Sequence, residues 1–248
     1  MTEQRVILCS FAHPDDESFL VAGVACRYAA TAQMVLVTAT LGDAGKVGDP
    51  PICTREQLPA VREAELQAAV GILGIHHLHL LRYRDKALAD APSDAICERL
   101  VGLIRRYRPQ IVITFDPNGA NRHEDHMAIS RFTSDAVAAS SDARWFPNAG
   151  DPCRVQRLLW TPPVPIWEAG RMTDLAAQPG IDFLIDVRPW VQRKREALRA
   201  HRTQHLSIDR VFFNRENVDQ LLSVEVFRQG YGPELGKIPA RDLFEGLE

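Results

Sequence analysis

Val6-Ile7-Leu8-Cys9-Ser10-Phe11 runs directly into Ala12-His13-Pro14-Asp15-Asp16-Glu17, and the reading of this stretch decides the fold. The first half is short and almost wholly apolar, as a parallel strand buried on both faces must be. The second half is a polar loop. Beyond it, Glu17 to Ala32 carries apolar residues at helical spacing (Phe19, Leu20, Val24, Tyr28), which predicts a helix. Working outward, Met34 to Thr40 is β-branched and apolar, a second strand; a glycine-rich loop (Gly42, Gly45, Gly48) follows it. Gln57 to Leu73 reads as a helix, His77 to Leu81 as a strand, and Ser93 to Tyr107 as a helix punctuated by Pro92 and Pro109. Ile111 to Phe115 is the next buried strand, Asp116 to Arg122 a loop, and a helix runs from near Asp125 to Ala139. This alternation predicts an α/β fold, a mostly parallel sheet with helices on both faces. Beyond Asp142 the pattern loosens: strands at Val155 to Thr161, Phe183 to Val187 and Val224 to Arg228, and a charged helix at Pro189 to Gln204. The expectation is one domain over 1–248, with residues 1–141 as the regular half bearing the site. Residues 142–248 would complete the substrate pocket, its walls drawn from loops 42–54 and 142–180.

Composition agrees with a single core: 248 residues, 46% hydrophobic. A net charge of −3 speaks against nucleic-acid binding and gives no reason to expect an anionic membrane partner. The five cysteines are odd in number, scattered and without a C-x-x-C pair, so neither a disulfide framework nor a thiolate metal site is indicated. A reducing, cytoplasmic location is expected. The apolar run after Arg5 is too short for a signal peptide, and no stretch reaches the ~20 apolar residues of a membrane span.

Two loops carry chemistry. His13-Pro14-Asp15-Asp16-Glu17 crowds three carboxylates beside one imidazole, at a cost in repulsion that a cation would remove. His123-Glu124-Asp125-His126 follows another strand and should lie on the same sheet edge. Together they offer His13, Asp16 and His126: two imidazoles and a carboxylate with a fourth position open, the composition of a catalytic zinc site, although iron(II) accepts the same donors. Asp15 is then free to act as general base. His123 could carry a positive charge, stabilise an oxyanion and protonate a leaving amine, and Asp125 could hold a histidine in one tautomer. His77 and His79 share a strand face and are read as surface residues. Gly42-Asp43-Ala44-Gly45 lacks a phosphate-binding motif, which counts against a nucleotide-binding protein.

The chain resembles the LmbE-like, or PIG-L, family of N-acetylglucosaminyl deacetylases. The resemblance rests on Ala12 to Glu17 and on His123 to His126, and extends to Arg62-Glu63-Ala64-Glu65 and Ala200-His201-Arg202-Thr203-Gln204. Glu124 departs from the proline that relatives often carry there. The resemblance implies a Rossmann-like fold and one divalent metal, usually zinc, held by His13, Asp16 and His126. It implies Asp15 as base, His123 as electrostatic or acid partner, Asp125 orienting His123, and Arg62 and His201 binding substrate, with Gln204 near the site. It further implies removal of an acetyl group from an N-acetylglucosamine-type sugar, a small-molecule substrate, and a homo-oligomer, for which no interface signal is visible. Two other readings stay open: an amidase acting on a thiol conjugate of such a sugar, and a non-catalytic metal- or sugar-binding module.

Overall fold

The computed structural model describes residues 4–168 and 173–247. β1 (Val6–Phe11), β2 (Gln33–Thr40), β3 (His77–Tyr83), β4 (Ile111–Thr114) and β5 (Arg157–Trp160) run parallel. β6 (Phe183–Asp186) and β7 (Val224–Tyr231) complete the sheet, with β7 antiparallel to both β5 and β6. The order is β3-β2-β1-β4-β5-β7-β6. Every residue of β1 and β4 is buried, as their apolar sequences require.

The helices are α1 (Asp16–Leu20), α2 (Ala22–Tyr28), α3 (Leu58–Leu73), α4 (Ser93–Tyr107), the single turn α5 (Gly119–Arg122), α6 (Glu124–Ser140), α7 (Val191–Ala200), α8 (His205–Ile208) and α9 (Val218–Leu222). α2, α3 and α7 pack into one layer, and α4 and α6 into another. Among the described residues no helix is long and apolar enough to cross a membrane.

The strand order positions the site. The chain builds β1, β2 and β3 outward in one direction, then returns to lay β4 on the other side of β1, in register Ile7↔Ile111 and Cys9↔Ile113. The loops leaving β1 and β4 therefore diverge and leave a crevice between them, the switch point of an open α/β sheet. Both chemistry-bearing loops leave these two strands.

Three elements differ from the expectation. The helix expected from Glu17 to Ala32 is broken at Val21 (φ −135°, ψ 13°) into α1 and α2. The cause lies far along the chain: the Glu225 carboxylate accepts the N–H groups of Gly23 (2.8 Å) and Val24 (2.7 Å), satisfying the first turn of a new helix. Glu225 is itself paired with the buried Lys194 at 2.6 Å. Gly23 is required there, because a Cβ would collide with the Val187 side chain. The loop Asp116 to Arg122 contains the irregular turn α5, and the helix expected over Pro189 to Gln204 is α-helical only from Val191 to Ala200.

Candidate metal centre and active site

His13 and Asp16 lie just beyond β1, and His126 in the first turn of α6. Each imidazole has one nitrogen whose role is fixed by a neighbour that can only accept. His126 Nδ1 is 3.1 Å from the Gly119 carbonyl oxygen, so it carries the proton and Nε2 keeps its lone pair. His13 Nε2 is 3.1 Å from Asp85 Oδ1 and 3.2 Å from Asp125 Oδ2, so Nε2 carries the proton and Nδ1 keeps its lone pair. These two remaining nitrogens face each other at 3.2 Å. Asp16 closes the triangle, with Oδ1 3.5 Å from His126 Nε2 and Oδ2 3.7 Å from His13 Nδ1. Its Oδ2 also accepts the backbone N–H of His13 at 2.8 Å, which fixes the carboxylate in place.

Two converging lone pairs and a carboxylate demand positive charge at their centre. Zinc–nitrogen bonds of about 2.0–2.1 Å in a tetrahedron set donor–donor separations of roughly 3.3 Å. The donor set fits such an ion. The electrostatics agree. Burial works against a charged His13, yet its hydrogen bonds to Asp125 and Asp85 and the charge of Asp16 raise it to about 10. His126 moves the other way, held well below the usual range by burial and by the charges of His13 and His123. Burial raises Asp16. The cluster thus binds one positive charge here, as a proton or as a cation.

Around this cradle, Asp15 takes a backbone conformation that side chains other than hydrogen disfavour (φ 125°, ψ −28°). Its Oδ2 is 3.3 Å from Arg62 Nη2, and burial raises its proton affinity despite that guanidinium. His123 caps α6: its Nδ1 accepts the Asp125 N–H at 3.2 Å. Its Nε2 must then carry a hydrogen, so His123 offers a donor rather than a ligand, although its ring lies near both other histidines. Burial, then the His13 charge, lower its pKa. With Nδ1 occupied as an acceptor, His123 is placed to donate from Nε2 as a neutral ring, where the sequence suggested a cationic acid.

Two further assignments need correction. Asp125 does not orient His123 through its carboxylate. That fully buried group bonds His13 Nε2, the N–H of Lys86 (2.6 Å) and the N–H of Leu88 (3.1 Å), and only the backbone of Asp125 reaches His123. His201, 1% exposed, is not among the residues that line the cavity. Its Nε2 is 2.7 Å from Glu17 Oε1, and Glu17 accepts the Asp15 N–H through Oε2 at 3.1 Å. His201 therefore steadies the loop that holds Asp15 and Asp16. The Glu17 charge raises His201 against its burial, and His201 lowers Glu17 against its own.

Arg62 lines the cavity as expected but is 3% exposed. Its guanidinium donates to the carbonyls of Gly42 (3.0 Å) and Pro14, binding the glycine loop to the β1 loop. A Cβ at Gly42 or Gly45 would strike that guanidinium. The residue that sequence reasoning missed is Asp85, an isolated acid in the loop after β3. It holds His13 with Oδ1, accepts the Ala44 N–H with Oδ2 at 3.0 Å, and is drawn below the usual carboxylate range by His13 against the effect of burial. The one signal available was its place beyond a parallel strand.

A cavity of about 740 Å³ opens above the cradle. Residues 44–46 and 55 form one wall and Pro165, Trp167 and Glu168 another; the third comes from 204–215, inside the C-terminal part expected to complete the pocket but outside the two loops expected to wall it. From the expected loop 142–180, residues 169–172 lie outside the described residues.

The family model for GlcNAc-PI de-N-acetylase, PIG-L, matches residues 8–137, from β1 into α6. A 1D-myo-inositol 2-acetamido-2-deoxy-alpha-D-glucopyranoside deacetylase of Rhodococcus opacus is 36% identical over 82% of each chain. One of the same description from Streptomyces avermitilis is 31% identical over 98% of this chain and 97% of its own. Among solved structures, N,N'-diacetylchitobiose deacetylase from Pyrococcus horikoshii superposes with a TM-score of 0.71 at 18% identity, covering 92% of this chain and 84% of that one. A 4-carboxy-2-hydroxymuconate hydratase from Pseudomonas putida also superposes, with a TM-score of 0.68 at 16% identity over 95% of this chain and all of that one. Likeness at that level shows the fold and leaves the reaction to the site and to the closer sequence relatives. On the family match and on relatives above 30% identity along almost its whole length, this chain belongs to the PIG-L family, the GlcNAc-PI de-N-acetylases.

Proposed function

We propose that the chain hydrolyses the acetamide of an N-acetylglucosamine-type sugar, releasing acetate and a free amine. The observation that carries this is the cradle of His13, Asp16 and His126, with Asp15 and the His123 N–H beside it on one cavity wall. The two sequence relatives, both 2-acetamido-2-deoxy-glucopyranoside deacetylases, favour the sugar acetamide over the amide of a thiol conjugate. A binding module would need neither a strained base nor a neutral imidazole donor.

His13, Asp16 and His126 would hold one divalent ion, zinc or iron(II) by their donor chemistry. Bound there, the ion supplies a Lewis acid for the amide carbonyl and acidifies the attacking water. Asp15 accepts the proton of that water; Arg62 holds its carboxylate, and burial keeps its proton affinity raised. As charge grows on the carbonyl oxygen, His123 Nε2–H donates to it. His123 cannot be reprotonated at Nδ1 while it accepts the Asp125 N–H, so the proton held by Asp15 is the one delivered to the departing amine.

The test is amine release from a panel of N-acetylglucosaminides by zinc-loaded, iron-loaded and chelated protein. Release that disappears on chelation and returns with metal is expected. Metal bound tightly with no release from any member of the panel overturns the proposal.

A further inference from the structure

We infer that the chain also hydrolyses amides whose short acyl group ends in a hydroxyl, hydroxyacetyl being the simplest, and that Lys194 and Glu225 select for that hydroxyl at the end of an apolar slot beside the metal cradle. This rests on the deacetylase reading above. An amide has two sides, and the sugar side needs the open cavity of about 740 Å³. A second, narrow space of about 30 Å³ adjoins it, and Phe19, Leu20, Ala120 and Trp167 line both. Two of these place its mouth beside the cradle. Leu20 stands one helical turn beyond Asp16 on α1, on the same face, and Ala120 follows Gly119, whose carbonyl fixes His126. With the sugar in the cavity and the carbonyl at the cradle, the slot is the space left for the acyl substituent.

The sides of the slot are apolar, with Phe212, Leu221 and Val226. Its lining also includes Lys194 and Glu225, which meet at 2.6 Å. Lys194 belongs to the charged run Arg193-Lys194-Arg195-Glu196 of α7, and it alone of those four is buried, at 2% exposure. Burying an ammonium is costly unless its three N–H groups find acceptors. Glu225 Oε1 accepts from Lys194 and from the Gly23 N–H, and Oε2 accepts the Val24 N–H. Among the described residues Glu225 is the one hydrogen-bond partner of Lys194 Nζ, so part of the donor capacity of this buried ammonium is unused where it borders the slot.

Such a slot tells isosteric acyl groups apart. A chain that ends in methyl fills the apolar part and leaves the Lys194 donors desolvated. A chain of the same length that ends in a hydroxyl accepts from Lys194 on its oxygen and gives its own proton to Glu225 Oε2. A dry site with an unmatched donor favours the hydroxyl and rejects the methyl. The volume admits little more than one water-sized group, so the chain is short. The reaction is the same hydrolysis: water adds to the amide carbon, the C–N bond breaks, and hydroxyacetate leaves with the free amine as the other product. An ion pair that served only to pin α2 would not change the order in which these substrates react.

The test takes the N-acetylglucosaminide turned over best in the panel above and varies only its acyl group. Propionyl is compared with hydroxyacetyl, and butyryl with 3-hydroxypropionyl, two isosteric pairs that differ in reach by one carbon. Metal-loaded protein is expected to show a kcat/KM about tenfold to a hundredfold higher for the hydroxyl member of at least one pair. In Lys194→Met that ratio should fall to one or invert; taken within a single preparation, it is insensitive to partial unfolding. The double variant Lys194→Met/Glu225→Gln, which leaves no unpaired buried carboxylate, repeats the comparison where the single variant does not fold. Equal rates within both pairs, a preference for the alkyl members, or hydrolysis of the acetyl compound alone overturns the inference and leaves the deacetylase intact. If no glycoside of the panel is turned over, the deacetylase reading fails, and the slot is read by calorimetry on the methyl glycosides of the same pairs. Tighter binding of the hydroxyl members then upholds the slot, and equal binding overturns it.

Discussion

The backbone of Asp15 offers a sharp test, because its strain can be separated from its chemistry. Asp15→Ala and Asp15→Gly both delete the carboxylate, and both leave Arg62 with the same two carbonyl partners. The backbone bonds of residue 15, from its N–H to Glu17 and from the N–H groups of Ser18 and Phe19 to its carbonyl, survive in each. What differs is the Cβ. At an ordinary position glycine is less stable than alanine by about 0.5–1 kcal/mol, because its unfolded chain is freer. At φ 125° the alanine Cβ carries a conformational penalty of about 1–3 kcal/mol that glycine escapes. The order therefore inverts: Asp15→Gly should exceed Asp15→Ala by about 1–2 kcal/mol. For a chain of this size that corresponds to roughly 2–8 °C in Tm, read by calorimetry on metal-free protein. Catalysis should not follow stability. Both variants lose the base and should fall by about 10²–10⁴ in kcat, within a few-fold of each other, while still binding metal. An alanine variant as stable as the glycine variant would show that residue 15 is unstrained. Substantial turnover in either would remove Asp15 as the base.

Other consequences can be checked as directly. Asp85→Asn leaves one oxygen for two donors, His13 Nε2–H and the Ala44 N–H, and removes the charge behind His13; it should weaken metal affinity by about tenfold to a hundredfold, measured by competition with a chelator. His126→Ala should abolish metal binding and activity together, whereas His123→Ala should keep the metal and lose about 10²–10³ in kcat, as expected of an oxyanion donor. The Glu17–His201 pair should make stability depend on pH. His201 is raised, so its contribution is complete below 6.5 and is lost as pH climbs through its folded value; Glu17 is lowered, so its contribution is complete above 4.5 and is lost as pH falls through its folded value. The Tm advantage of the native protein over Glu17→Gln should peak between pH 4.5 and 6.5 and shrink on both sides.

The sheet was legible because buried parallel strands announce themselves as apolar runs, and because the site of an open α/β sheet falls where the strand order reverses. Knowing that His13 follows β1 and His126 follows β4 was enough to bring them together. Contacts between distant residues were not legible. Asp85 meets His13 across 72 positions, His201 meets Glu17 across 184 and Glu225 meets Gly23 across 202; Asp85 and Glu225 carry no motif, and the motif that marks His201 does not name its partner. The broken helix at Val21 belongs here too: local pattern favoured one continuous helix, and a carboxylate from the far end of the sheet divided it.

The misreading of Asp125 has a different origin, since everything needed to avoid it lay in four consecutive residues. Asp125 stands two positions after His123, which suggests a pair. In a helix each residue advances about 100°, so residues two apart point to nearly opposite sides, and residues three apart share a face. His123 and His126 accordingly stack with ring centroids 4.8 Å apart. The Asp125 carboxylate is turned away from both and toward the β1 loop, where the His13 N–H waits. The same step that separates Asp125 from His123 in direction also leaves His123 to cap the helix with its own Nδ1, which keeps it neutral and makes it a donor. The division of labour proposed for the three histidines, two ligands and one donor, thus rests on which acceptor or N–H each meets on its other nitrogen.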